Sequence, residues 1–438
     1  MTDFLRPESP LHPTLSELFF VFGRVGLLSF GGPAGQIGMM HRVLVDEKRW
    51  LSEERFLHAL NYCMLLPGPE AQQLATYAGW LLHGRRGGVI AGTLFILPGF
   101  LVIVALAAAY ALYQDTHWLP ALLFGLKAGV LAIVIEALLR VAKRALKSRF
   151  LIGVAGAAFI ALFFFAVPFP LVILAAGVAG FLKARGAQSV KRDAASKAPS
   201  LLRQLRGVLV GLLIWQTPLL LFWLLAAPGS LVELQAFFSR LAVVTFGGAY
   251  AVLAYVAQVA VETHHWMSAS EMLDGLALAE ATPGPLVLVL SYIGFLAAFR
   301  HPGMLDPMLA GVLGASVAAW ATFVPSFIFI FLGAPYVERL KDNAALSGAL
   351  SAITGAVVGV ILNLSVWFGL HVLFGKVDRV ELLPQINLGM SLPEWSSLDL
   401  ASLALFIVSA IMLFRLKLGM VPVLGVCLAA GLIRLWLV

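Results

Sequence analysis

The chain has 438 residues, 61% of them hydrophobic and only 12% charged, whereas soluble domains carry roughly 25% charge. So few charges cannot cover the surface that so many apolar side chains would expose, which excludes water-soluble enzymes, nucleic-acid binders and disordered chains and indicates an integral membrane protein. The net charge of +7 then reads as cytoplasmic loops held inside by Lys and Arg rather than as a sign of an acidic partner.

A spanning helix needs about 20 apolar residues. Runs of that kind predict about thirteen segments: 14–33, 55–84, 88–113, 119–141, 150–166, 169–184, 207–226, 231–250, 271–299, 309–334, 345–371, 400–415 and 418–436. Segments 150–166 and 169–184 are short, while 55–84 and 271–299 are too long for one straight span and carry proline breaks. Residues 1–13 are polar and include Arg6, and the first apolar stretch is interrupted by Arg24 without a small-residue cleavage site, so no signal peptide is expected. Charge alternates along the loops. Arg85 and Arg86, then Lys143, Arg144, Lys147 and Arg149, then the Ala-, Ser- and Lys-rich stretch 185–206 are basic. The intervening loops 114–118, 167–170 and 227–230 hold no Lys or Arg. This pattern places the basic loops and the N-terminus in the cytoplasm, and the acidic loop 375–399 and the C-terminus outside, in a multi-pass protein of the cell inner (plasma) membrane.

Shifting the chain by 216 residues aligns Glu17 with Glu233, Arg24 with Arg240, Phe30-Gly31-Gly32 with Phe246-Gly247-Gly248, Trp50 with Trp266, Ser52 with Ser268, and Pro67-Gly68-Pro69 with Pro283-Gly284-Pro285. About 16 of the 53 ungapped positions are identical, so the chain is a tandem duplication. After a change of register, Pro98 in Leu97-Pro98-Gly99-Phe100 matches Pro325 in Val324-Pro325-Ser326-Phe327. Seven expected spans from one start to the other reverse the direction of the second copy, the inverted-repeat plan of secondary transporters with broken helices. The predicted fold is therefore an all-α membrane protein of about 13 transmembrane helices in two inverted-topology repeats. Its parts are a first repeat (1–184), a basic cytoplasmic linker with a connecting helix (185–230) and a second repeat (231–438).

Four stretches carry a family resemblance: Ser29-Phe30-Gly31-Gly32-Pro33, Trp50-Leu51-Ser52, Leu66-Pro67-Gly68-Pro69-Glu70-Ala71-Gln72-Gln73-Leu74-Ala75, and Gly79-Trp80-Leu81-Leu82-His83-Gly84-Arg85-Arg86-Gly87-Gly88. Together they resemble the chromate ion transporter family, in its long-chain form with two fused domains. That resemblance implies efflux of chromate from the cytoplasm and chromate resistance. The second copy departs from the pattern, with Ala249 in place of Pro33 and Leu286 and Val287 in place of Glu70 and Ala71, so the halves are not equivalent.

The chemistry can be read separately from the residues. Gly-Gly and Pro-Gly-Pro breaks release backbone N–H groups and start new half-helices, whose N-terminal ends attract anions. The candidate anion site comprises Arg24, Ser29, Gly31, Gly32, Gln36, Pro67, Gly68, Pro69, Gln72 and Gln73 from the first copy. The second copy adds Arg240, Thr245, Gly247, Gly248, Pro283 and Gly284. In this reading the glutamines add amide donors and Ser29 and Thr245 add hydroxyls. Two roles fit the duplicated arginines: attracting the anion, or snorkelling and pairing with Glu17 and Glu233. Gly31 and Gly35 equally suit close helix packing. Glu70 and Glu280 are candidates for proton coupling, with helix capping the alternative for Glu70. Lys127 and Glu136, nine residues apart on one helix, do not face each other. Cys63 and Cys427 make no disulfide framework, His41, His58, His83, His264 and His265 show no metal-ligand spacing, and no cofactor or metal is expected.

The expected function is a secondary transporter of chromate, with sulfate or another tetrahedral oxyanion as the alternative substrate, and no enzyme activity. Its surroundings are the lipid bilayer, with no nucleic acid, and a homodimer remains open.

Overall fold

In the computed structural model, residues 13–30, 32–64, 66–185, 201–225, 228–245, 249–341, 344–383, 385 and 388–437 are described. The first copy opens with α1 (Leu15–Leu28), α2 (Gly32–His41) and α3 (Glu53–Cys63), followed by α4 (Glu70–Tyr113). Helices α5 (Trp118–Ala145), α6 (Arg149–Phe163), α7 (Phe169–Ala184) and α8 (Leu201–Leu224) lead to the second copy. That copy runs through α9 (Gly229–Val244), α10 (Ala249–Gln258), α11 (Ala269–Ala281), α12 (Val289–Arg300), α13 (Pro307–Lys341) and α14 (Ala344–Leu373), and the chain ends with α15 (Leu400–Ala410) and α16 (Met420–Leu437). Among the described residues, four helices are long and apolar enough to cross a membrane (α4, α5, α13 and α14), and α8 bends by 50° around residue 216. The chain is a helical, multi-pass membrane protein.

The duplication extends to single hydrogen bonds. After α2 and after α10 the helix widens into a π turn, over Arg42–Glu47 and Val259–Thr263. In the first, Lys48 N–H donates to Val43 and Trp50 N–H to Leu44; in the second, His264 donates to Val259 and Trp266 to Ala260. Each bond lies 216 residues from its counterpart, as do the left-handed residues Arg49 (φ 52°) and His265 (φ 50°). The repeated tryptophans are buried, and the repeated serines, Ser52 and Ser268, cap α3 and α11 by accepting from the backbone N–H of Arg55 and Glu271. Their conservation between copies is explained by an N-cap, which stabilises a helix start by about 1 kcal/mol.

Two stretches expected as spans, 55–84 and 271–299, are instead hairpins that return to the end they left. In the second, Glu271 at the start of α11 forms an ion pair with Arg300 at the end of α12, and Tyr292 Oη donates to the Glu271 carbonyl. Tyr62 and Tyr77, on either side of the first Pro-Gly-Pro, bring their rings within 5.0 Å. The 44-residue α4 is two arms, 70–82 and 85–113, because His83 (φ −137°, ψ 26°) and Gly84 (φ 59°, ψ −149°) leave helical geometry. The arms fold back so closely that a Cβ on Gly79 would lie 2.3 Å from the Gly87 carbonyl oxygen. In the second copy α12 packs on α13 in the same way, with Gly294 against Gly314. Small residues at such crossings let backbones touch where no hydrophobic gradient drives helices together.

The depth of the breaks follows from these contacts. His83 Nε2 donates to the Pro13 carbonyl, and Gly26 abuts Leu94 and Phe95. Helix α1 thus runs alongside the long arm of α4 and ends opposite Pro98, the middle of that arm. Among the described residues, the strands outside the helices form one two-stranded antiparallel hairpin, β1 (Val377–Leu383) with β2 (Leu388–Pro393). It departs from an all-helical expectation. This hairpin lies in the polar loop before α15 and is tied to the end of α6 by Gly389 N–H donating to Phe164.

Candidate functional site

The breaks of the two copies meet and exchange hydrogen bonds. Gly68 N–H donates to the Thr245 carbonyl (2.7 Å), and Gly284 N–H donates to the Ser29 carbonyl (2.8 Å). Ser29 and Thr245 are counterparts in the repeat, and so are Gly68 and Gly284, so each copy supplies one donor and one acceptor to the other. Both glycines hold positive φ, 118° and 95°, a region that L side chains avoid. The proline-bearing long helices complete the exchange. A Cβ on Gly99 of α4 would meet the Pro283 carbonyl oxygen at 2.2 Å, and Ser326 of α13 closes on Gly68. New helices start immediately after all four breaks, at Gly32, Glu70, Ala249 and Leu286.

The side chains around this junction come mainly from the first copy. Gln36 Nε2 donates to the Gly284 carbonyl at 2.6 Å, and Gln73 Nε2 to the Pro67 carbonyl at 2.7 Å. Gln72 Nε2 donates to Thr76 Oγ1 at 3.0 Å, while that hydroxyl donates to the Gln72 carbonyl. The amide donors read from the sequence as anion ligands are therefore engaged with the protein in this conformation. The three carbonyl oxygens, Gln36, Gln72 and Gln73 Oε1, are buried without a hydrogen-bond partner among the described residues. The hydroxyls of Ser29 and Thr245 are engaged as well, donating one helical turn back to Val25 and Leu241. Gly32 (φ 64°) faces Tyr250, whose Oη donates to Glu280 Oε1 at 2.8 Å. Between the breaks, Pro33, Gln36, Pro69, Glu70, Ala71, Pro285, Leu286 and Val287 enclose a cavity of about 10 Å³, room for about one water.

Arg24 and Arg240 are not drawn into the junction. Both are exposed on the outer faces of α1 and α9, five residues before the breaks, with no ion pair among the described residues. Glu17 does not reach Arg24 either; it closes the capping box of α1 with Thr14. Gly31, Gly247 and Gly248, and with them Phe246 and most of the linker (186–200), lie outside the described residues.

A second polar cluster escaped the sequence reading. At the end of the bundle where α4 passes to α5, a cavity of about 410 Å³ is lined by Tyr110, Lys127, Ser270, Asp274, His371 and Asp399, among others. Lys127 Nζ pairs with Asp274 Oδ1 at 2.8 Å, and Tyr110 Oη donates to Asp274 Oδ2 at 2.9 Å. Glu136 pairs with Arg140 on its own helix. At the rim, burial works against ionisation of Asp399, yet the Ser402 N–H, Arg434 and the Ala401 N–H hold its carboxyl below the usual range. A carboxylate three or four residues from Lys127 on its own helix would have been the sequence signal; instead its partner Asp274 is 147 residues away on another helix.

Comparison with known proteins gives a consistent result. The family profile described as Chromate transporter matches residues 16–181 and 232–433. A probable chromate transport protein of Synechococcus elongatus is 28% identical over 403 residues, covering 90% of this chain and 96% of the relative. Chromate transport proteins of Pseudomonas aeruginosa and Cupriavidus metallidurans are each 31% identical, the first over 89% of this chain and 88% of its own length, the second over 80% and 81%. No solved structure matches.

Proposed function

Because this chain belongs to the chromate transporter family, we propose that it is a secondary transporter exporting chromate across the cell inner membrane and so conferring resistance. The observation that carries this reading is the junction, where reciprocal bonds from Gly68 and Gly284 bring four half-helix starts together. Helix N-termini and unpaired backbone N–H groups suit an anion. The cavity of about 10 Å³ does not admit a five-atom oxyanion, so binding requires the breaks to part. Parting frees the N–H groups of Gly68 and Gly284 and the amides of Gln36 and Gln73, which then face the anion. Arg24 and Arg240, set back from the breaks, act through their field.

The orientation of the repeats belongs to the same reading. With the hairpins returning to their own side, the 85–113 arm, α5, α6, α7 and α8 make five crossings from the first copy's breaks to the second's. Five is odd, as the seven crossings expected from sequence were, so the copies enter the membrane from opposite sides. The first enters from the cytoplasm, where the N-terminus and Arg85 and Arg86 lie. Withdrawal of one copy's hairpins opens the junction inward, and withdrawal of the other's opens it outward. Export of a dianion is favoured by an inside-negative potential by about 5 kcal/mol per 100 mV; export therefore needs no nucleotide.

Radiolabelled chromate flux into everted vesicles tests the proposal. Chromate should accumulate, sulfate should compete weakly, and collapse of the membrane potential should slow uptake. Uptake of sulfate with no response to chromate would replace the substrate, and uptake by right-side-out cells would reverse the direction.

A further inference from the structure

The hairpin of α11 and α12 is held to its surroundings at two levels. At its tip, Gly99 of α4 presses on the Pro283 carbonyl. Eleven residues further along α4, about 16 Å at 1.5 Å per residue, Tyr110 Oη donates to Asp274 of α11. Lys127 of α5 pairs with the other oxygen of Asp274 at 2.8 Å and donates to Ser270, one turn earlier on α11. Between the two levels Ile103 and Ala107 of α4 are fully buried. The Glu271–Arg300 pair differs in kind, because both partners belong to the hairpin and travel with it. Asp274 instead joins the hairpin to two helices outside it. The cavity of about 410 Å³ borders this bond, and its wall includes Lys127, Asp274, Gln114 of loop 114–118 and Gly375 of loop 375–399, the loops whose charge reads as external. The first copy is built differently there. The counterparts of Ser270 and Asp274 are Glu54 and His58, and its hairpin reaches the opposite long helix through a neutral bond, Tyr62 Oη to the Phe329 carbonyl.

We propose that Lys127 and Asp274 form the outer gate of the transport path, and that the cavity beside them is the mouth through which the oxyanion leaves. The α11–α12 hairpin can withdraw only when Asp274 parts from both Tyr110 and Lys127. A charge pair suits this task, because water from the cavity hydrates both partners once they separate, whereas a dry interior would hold them at a large desolvation cost. Asp274 then leaves with the hairpin while Lys127 stays on the wall, so the opened path carries a positive charge. The two gates are therefore unequal, and the resting chain is closed more firmly toward the outside. This assignment rests on the transport reading above, but accessibility tests it with no chromate present.

The test places a reporter thiol in the junction lining, as Val287→Cys in the full-length chain with Cys63→Ala and Cys427→Ala. Cells expressing it receive a membrane-impermeant maleimide, and with the pair intact labelling from outside should be slow. The neutral pair, Lys127→Gln with Asp274→Asn, should speed it at least fivefold. The exchanged pair, Lys127→Asp with Asp274→Lys, should return it to within twofold of the starting rate. A neutral pair that reaches the membrane yet labels no faster from either side, or an exchanged pair that labels as fast as the neutral one, overturns the proposal. Faster labelling in everted vesicles alone would keep the gate and fault the orientation in the transport reading. Should these variants fail to reach the membrane, the intact pair decides: Val287→Cys should label at least fivefold more slowly in cells than in everted vesicles, and equal rates overturn the gate. Absent chromate flux with this pattern intact would fault the transport reading and leave the gate standing.

Discussion

The two sides of the junction share a backbone and differ in their side chains. Pro67-Gly68-Pro69 and Pro283-Gly284-Pro285 make equivalent bonds to Thr245 and Ser29. Yet Gln36, Glu70, Gln72 and Gln73 of the first copy have Val252, Leu286, Leu288 and Val289 as their counterparts. The second copy carries its own pair, Tyr250 and Glu280, where the first has Ala34 and Met64. Duplication kept what the chain path demands, namely glycines at positive φ and prolines that end helices. It left the polar chemistry to be divided, so the copies are alike in backbone path and unlike in the side chains that surround it.

The largest effect is expected away from the junction, at the cavity where Lys127 of α5 pairs with Asp274 of the second copy. Lys127→Met leaves Asp274, 8% exposed, without its counter-charge, a loss of about 3–5 kcal/mol for a buried pair. The thermal stability of the double variant Lys127→Met with Asp274→Leu should return most of the way; a double variant no better than the single would show that the pair is not coupled. Next come Gly68→Ala and Gly284→Ala. Each forces a side chain into positive φ at about 1–3 kcal/mol, and both should reduce chromate flux at least tenfold. Tolerance at one position only would break the equivalence of the two backbones.

Gln36→Val gives the first copy the apolar character of the second and sharpens the contrast. It removes a bond contributing about 0.5–1.5 kcal/mol, but also an unpaired buried oxygen that costs about 1–3 kcal/mol. Stability should change little while flux falls; equal losses of both would make Gln36 a structural residue. The smallest effect is expected at Arg24. An exposed charge away from the junction acts by less than about 1 kcal/mol, so Arg24→Gln should lower flux by no more than about fivefold and Arg24→Lys should restore it.

Much of the fold is legible in the sequence because it rests on strong local signals. Pro-Gly-Pro, Gly-Gly, the Trp-x-Ser repeat and the alternating Lys and Arg each mark a chain path by themselves. The hairpins are not legible from apolar length, since two short helices joined by a break read as one overlong span, as in 55–84 and 271–299. Nor is the state of the glutamines. Composition shows that Gln36 can donate, but only the folded chain shows that its donor is already held by Gly284, 248 residues away. Lys127 escaped for the same reason: its partner stands on another helix, while Glu136, on its own helix, faces Arg140 one turn ahead.

The exchanged bonds of Gly68 and Gly284 also bear on ancestry. A first copy folded alone would leave the Gly68 N–H without its acceptor, the Thr245 carbonyl of the other copy. On the opposite orientation proposed for the copies, a one-repeat ancestor could satisfy it only by meeting another of its kind inserted upside down, which asks one polypeptide to adopt both orientations. On the same proposal, fusion through the basic linker assigns one orientation to each half and makes the encounter intramolecular. Severing the chain within 186–200 should accordingly yield fragments that are inert apart and complement each other when co-expressed.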